Sequence, residues 1–122
     1  MLNLNKKVKV LILSVLMSSC VHADQDIVTC KPNSVVFNDI LNCFLIEFKK
    51  VDKDLNLIYQ KKMEKLSEKD RIKLKISQRN WIKKKENLCV ANEEEYGRES
   101  HFEALACQTK MTKERILFLK NY

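Results

Sequence analysis

The stretch FNDILNCFLIEFKKVDKDLNLI, residues 37–58, decides the fold. Its apolar residues Phe37, Leu41, Phe44, Phe48, Val51, Leu55 and Ile58 are separated by alternating steps of four and three, which is helical spacing held through six intervals. Neither Gly nor Pro interrupts it, and the pattern predicts one long amphipathic helix starting between Ser34 and Asp39. Lys49, Lys50, Lys53, Lys61 and Lys62 fall mostly off the apolar stripe.

Working outward, Ser67 offers an N-cap, with Asp70 three residues on in a capping-box-like position. The helical pattern restarts there through Ile72, Leu74, Ile76, Trp81, Ile82 and Leu88. A turn near Leu66 to Glu68 is therefore expected, and so short a connection between long helices favours an antiparallel hairpin. Gly97, the single glycine, lies in the polar stretch Asn92 to Ser100, the best place for a second turn. A third helical stretch is expected from about Ser100 to the C-terminus, with a candidate re-cap at Thr112. The fold class is all-α: a small antiparallel helical hairpin with a third packed helix and two disulfides. No internal repeat is present.

The N-terminal segment reads as an export signal. Lys6, Lys7 and Lys9 make a positive start, Val10 to Met17 is an apolar run too short to span a bilayer, and small or polar residues follow. Val21 and Ala23 stand at the −3 and −1 positions of a small-residue cleavage site, so residues 1–23 are expected to be signal peptide and 24–122 the mature domain. A rival reading uses Cys20, because Met17-Ser18-Ser19-Cys20 loosely resembles the bacterial lipoprotein box, in which the cysteine is acylated; Met at −3 is atypical. Removing residues 1–23 takes away three lysines and no acid, leaving 20 Lys and Arg against 16 Asp and Glu, a net charge of +4 where the whole chain has +7.

On either reading of the leader, four cysteines remain to pair: Cys30, Cys43, Cys89 and Cys107. Cys43 lies 23 residues before Leu66 and Cys89 lies 23 after it, so the two fall at one height on the hairpin. Cys89 and Cys107 also approach across the second turn, and all four thiols gather at one end. Spacing does not decide among the three pairings. Cys30 with Cys43 and Cys89 with Cys107 is favoured, since each closes a short loop around a helix terminus, and Cys43 with Cys89 is the rival. In an oxidising compartment such links supplement a modest core. A zinc site is disfavoured, because there is no CxxC pair and His101 is the only histidine after the leader.

Polar and aromatic residues punctuate the helical stripes: Asn56 and Tyr59 on the first helix, Gln78, Arg79 and Trp81 on the second, Arg115 near the end. The run Leu55-Asn56-x-x-Tyr59, then Gln78-Arg79-x-Trp81 with Cys89 eight residues after the tryptophan, then Cys107 and Thr112-x-x-Arg115, resembles the lysozyme inhibitor LprI-like family of bacterial exported proteins. The resemblance covers roughly Cys30 to Leu119. It implies a small helical, disulfide-linked domain outside the cytoplasm, periplasmic or secreted, with lysozyme inhibition shown for a few members. The chain departs from the family in two places. Lys84 stands where an aromatic is common three residues after the tryptophan, although Lys85 and Glu86 keep the pair that follows. Between the last two cysteines, Glu93-Glu94-Glu95-Tyr96-Gly97-Arg98-Glu99 replaces a Gly- and Ser-rich loop.

Physically, Asn56, Gln78 and Arg79 near Trp81 are expected to hydrogen-bond between helices, and Trp81 and Tyr59 to be core, so this signature is read as structural. No enzyme constellation emerges: His101 is alone, and consecutive carboxylates point in different directions on a solvated face. A single glycine excludes Gly-rich phosphate loops, and no cofactor is implied.

Charge is segregated along the chain. Residues 49–85 hold 14 basic and five acidic residues, whereas 86–103 hold one basic and six acidic. An acidic, disulfide-braced end is suited to docking a basic lysozyme-like protein, with Glu93, Glu94, Glu95 and Glu99 as candidate contacts. A different class is an envelope-binding module whose Lys61, Lys62, Lys65, Lys69, Lys73, Lys83 and Lys84 engage anionic lipid or cell-wall polymer at the membrane surface. Nucleic acid is disfavoured by export.

Overall fold

The computed structural model describes residues 28–122. The leader reading, including Cys20 and the cleavage site after Ala23, lies outside the described residues.

Three long helices and one short one follow the chain: α1 (Phe37–Lys65), α2 (Glu68–Leu88), α3 (Glu93–Tyr96) and α4 (Ser100–Asn121). The described residues contain no strand. α1 and α2 form the two arms of an antiparallel hairpin, and α4 packs on it, running parallel to α1. The closest backbone approach is between α1 and α4, not between the two arms. Along this seam Phe44 and Glu47 of α1 and Ala106, Thr109 and Lys113 of α4 line a shallow groove, and Lys113 donates to Glu47 across it at 2.6 Å.

The turn between the arms is set locally. Ser67 Oγ accepts from the Asp70 backbone N–H at 3.2 Å and donates to the Asp70 carboxylate at 2.8 Å. Removing the hydroxyl, Ser67→Ala, is expected to lower the unfolding free energy by about 1 kcal/mol in chemical denaturation. Ser67 first, then Lys73, hold the Asp70 carboxyl below its ordinary 3.8. Because the folded carboxyl holds its proton less readily than the free one, this stabilisation is present above the ordinary value and fades as pH falls through the lower folded one.

The apolar stripe of α1 is buried or half-buried throughout, and Leu55 joins Leu74 of α2 and Leu119 of α4 in the central cluster, flanked by Ile58, Tyr59, Met63, Leu66, Trp81 and Ile116. α2 behaves differently. Ile72, Ile76, Ile82 and Leu88 are exposed, and the inward face is Leu74, Gln78, Trp81, Lys85 and Cys89, which is equally helical in spacing but carries two polar side chains, Gln78 and Lys85. Lys85 is only 8% exposed, with its Nζ 5.2 Å from the centroid of the Phe48 ring and 5.1 Å from that of Trp81. This lysine joins the two arms through the faces of two aromatics.

The seam between α2 and α4 rests on Arg115, which is also 8% exposed. Its Nε donates to Gln78 Oε1 and a terminal nitrogen to Ser77 Oγ, both at 2.9 Å. The guanidinium lies 4.3 Å from the Phe118 ring centroid and 5.7 Å from that of Trp81. Burial pulls its pKa down, opposed by Tyr122 and Tyr59, and an arginine keeps its proton under such a shift.

The structure corrects several readings. Asn56 points outward and donates only to Asp52 within its own helix, and Arg79 is exposed, so of the three expected inter-helix bonders only Gln78 acts as one. Thr112 does not re-cap a helix. It is fully buried in an unbroken α4, and its hydroxyl donates to the Gln108 carbonyl one turn back. The polar stretch after Leu88 is not turn alone, because α3 occupies its centre.

Candidate functional site

Both disulfides lie at the end where α1 and α4 begin. Cys30 is bonded to Cys43 and Cys89 to Cys107, with Cα separations of 4.5 and 5.4 Å. The two short loops are the ones closed; Cys43 and Cys89 are not linked. Between the links, Phe102 of α4 stacks on Phe37 at 4.8 Å and on Phe44 at 5.4 Å, and the Arg98 guanidinium covers Phe37 at 4.5 Å. The segment from Cys89 to Ser100 is thus tied to α4 covalently and to the start of α1 through Arg98.

Within that segment the backbone is folded tightly on itself. Asn92 caps α3 by accepting from the Glu95 N–H at 3.2 Å, while its side-chain amide donates to the Glu95 carboxylate at 3.0 Å. Gly97 then takes φ +72° and ψ −177°, a conformation open essentially only to glycine, and turns the chain into α4. Ser100 Oγ donates to the Gly97 carbonyl at 2.7 Å and secures the turn.

On this support Glu93, Glu94, Glu95 and Glu99 are all exposed. Glu93 pairs with His101 on the first turn of α4, and Glu99 lies 3.7 Å from the Arg98 Nε. His101, expected to stand alone, therefore fastens α3 to α4. Tyr96 stands out from the same turn at 63% exposure, and a hydrogen bond to Glu95 raises its phenol above the ordinary 10.0, so it remains a neutral donor at physiological pH.

Two neighbours escaped the sequence reading. Leu88 and Val90 are 63% and 65% exposed and flank the buried Cys89. A shallow cavity of about 250 Å³ opens between Leu88, Val90, Tyr96 and Glu103, and a wider one of about 420 Å³ opens on the other side of Val90, lined by Leu41, Leu45, Leu105, Glu86 and His101. The carboxylates in these two cavities are Glu103 and Glu86, while Glu93, Glu94, Glu95 and Glu99 line neither. The signal was in the sequence as Leu88 and Val90 bracketing a cysteine just ahead of the acidic run, but periodicity reads Leu88 only as part of the helical pattern.

The lysines do not form one surface. Lys73 is paired with Asp70 at 3.1 Å, Lys83 and Lys84 are exposed on α2 away from the inter-arm turn, and Lys61, Lys62 and Lys65 converge at the end of α1. Among the described residues no group of three His, Cys, Asp or Glu side chains is placed to hold a metal ion. None of the described helices is long and apolar enough to cross a membrane.

The family model described as Lysozyme inhibitor LprI matches residues 30–119 of this chain. No curated protein and no solved structure gives a significant match. The matched region begins at the first disulfide cysteine and ends at the buried Leu119, taking in both disulfides, α1, α2 and all but the last two residues of α4.

Proposed function

From its membership of the lysozyme inhibitor LprI family, shown by a match over most of its length, we propose that the chain acts outside the cytoplasm by binding a basic lysozyme-type cell-wall hydrolase through its acidic, disulfide-braced end. It works as an inhibitor and not as a catalyst. Residues 1–23 direct export and are removed after Ala23, with acylation at Cys20 as the rival outcome. The observation that supports this docking surface is that Glu93, Glu94, Glu95 and Glu99 are all exposed on a doubly tethered turn that also exposes Tyr96 and follows exposed Leu88 and Val90.

The two kinds of residue have different tasks. Carboxylates at the rim raise the rate at which a cationic partner arrives in the right orientation, and salt weakens that effect. An aromatic and aliphatic centre supplies the hold once water is expelled, the arrangement found at binding hot spots. Preorganisation by Cys89–Cys107, Gly97 and the Asn92 cap means little ordering is left to do on binding. The basic body between residues 49 and 85 opposes a cationic partner at long range, so approach is restricted to this end.

The test is lysozyme-driven lysis of bacterial cell walls followed by turbidity, with the purified protein in large molar excess. Lysis is expected to slow. The variant E93Q/E94Q/E95Q/E99Q is expected to need about tenfold more protein for the same effect at low salt, with the gap narrowing as salt rises. Undiminished lysis at large excess contradicts the reading.

A further inference from the structure

The opposite end of the bundle carries a second pattern, independent of what the acidic end binds. Lys61, Lys62 and Lys65 from the end of α1 and Lys120 from the last turn of α4 surround an open pocket of about 210 Å³ floored by Ile58. None of these four lysines is in an ion pair among the described residues. The chain that turns here is itself basic, with seven Lys and Arg against three Asp and Glu in residues 61–75. At the same end, Phe118 and Tyr122 are 43% and 39% exposed, with ring centroids 5.6 Å apart.

A lysine in the last turn of a helix is favoured by the helix dipole, which accounts for one such residue on each helix. It does not account for four ammonium groups from two helices converging on an apolar floor, nor for two exposed aromatic rings at the same end of α4. Lysines that extend charged heads from apolar stems, together with Tyr and Phe, match the headgroup layer of a membrane, where anionic lipids attract the charge and rings settle at the boundary with the acyl chains. A soluble anionic polymer would explain the lysines but not the rings.

We propose that this tip docks on the surface of an anionic phospholipid membrane. The charge polarity of the molecule sets its orientation. α1 is 29 residues long and so spans about 43 Å, which places the acidic end several Debye lengths from the lipid and facing away from it. A protein standing this way holds its acidic face towards the cell wall while its basic tip rests on the bilayer.

The experiment is co-sedimentation at physiological salt with vesicles of phosphatidylglycerol and phosphatidylcholine, against vesicles of phosphatidylcholine alone. It uses the protein as recovered from an expressing cell after any processing. Binding is expected only to the anionic vesicles. The variant K61Q/K62Q/K65Q/K120Q is expected to lose on the order of a hundredfold in affinity. K49Q/K50Q/K53Q/K83Q, which removes the same charge elsewhere on the helices, is expected to lose about threefold or less. F118A/Y122A is expected to weaken binding several-fold, and soluble polyphosphate to compete only partly. Equal losses in the two lysine variants would overturn the proposal, as would equal binding to both vesicle types, or full competition by polyphosphate with F118A/Y122A unaffected. Running the lysis assay on the same variants separates the two ends, because loss of the tip lysines is expected to leave inhibition intact.

Discussion

Replacing Cys89 and Cys107 together by serine is expected to lower the unfolding free energy by about 3 kcal/mol, the chain-entropy value for the 18-residue separation that this link closes. For a domain of this size that is a large share of the total, and the melting temperature should fall by about 15 °C. The cost is not only in the unfolded state. Cys89 is 4% exposed at the end of α2, so a serine hydroxyl there must find a partner or remain unsatisfied. The same substitution unties the acidic turn from α4, leaving it held by the Glu93–His101 pair and by Arg98 on Phe37. Inhibition of lysis should therefore weaken even well below the melting point. The comparison variant is Cys30→Ser with Cys43→Ser, which opens a link of separation 13 at the same end and costs about as much stability. It leaves the acidic turn tethered to α4. If both pairs weaken inhibition equally at matched folded fraction, the tether has no specific part in binding.

Arg115→Ala is expected to cost about 3 kcal/mol, measured by urea denaturation. The substitution removes two charge-assisted hydrogen bonds and strands the side chain of Gln78, which is 8% exposed and has no other side-chain partner among the described residues. It also removes a guanidinium packed on Phe118 and Trp81. Lysine should not rescue, since one ammonium group cannot reproduce two donors held in a planar fork. Gln78→Ala alone should cost less, about 1 to 2 kcal/mol, and the double variant should fall short of the sum because the two residues act as one unit. A cost for Arg115→Ala below about 0.5 kcal/mol would mean that apolar contact, not this polar seam, holds α2 to α4.

These two expectations also mark which parts of the molecule were legible in its sequence. Local rules carried the helix limits: an unbroken alternation of fours and threes fixed α1, Ser67 and Asp70 fixed the start of α2, and Gly97 fixed the turn into α4 because its φ +72° admits little else. Cysteine heights along the hairpin placed both disulfides at one end, and the short-loop pairing is the one formed. Legibility failed where polarity and burial part company. Lys85 and Arg115 are buried cations satisfied by aromatic faces and neutral oxygens, an arrangement that no periodicity reveals. Of the apolar residues that marked α2 as a helix, Leu74 and Trp81 face inward while Ile72, Ile76, Ile82 and Leu88 are exposed, because Leu74, Gln78, Trp81 and Lys85 have the same spacing as a hydrophobic stripe. Asn56 misled for a geometric reason: it follows the buried Leu55 directly, and one helical step turns it about 100° away from the core.

For the candidate site, charge was legible and shape was not. The run from Glu93 to Glu95 declared an acidic end, but α3, the His101 contact and the exposure of Leu88, Val90 and Tyr96 beside it in the chain did not show in composition. A solvated acidic loop and a preorganised acidic interface have the same composition. They differ in whether the apolar side chains beside the carboxylates are turned outward.

The central claim, that this end is the face that meets a hydrolase, is tested most directly by titrating isotope-labelled protein with a basic lysozyme and following its backbone amide resonances. The account predicts changes concentrated between Leu88 and His101, weakened in E93Q/E94Q/E95Q/E99Q. Changes centred on Lys61, Lys62, Lys65 and Lys120 with residues 88–101 silent, or no change at concentrations that slow lysis, would contradict it.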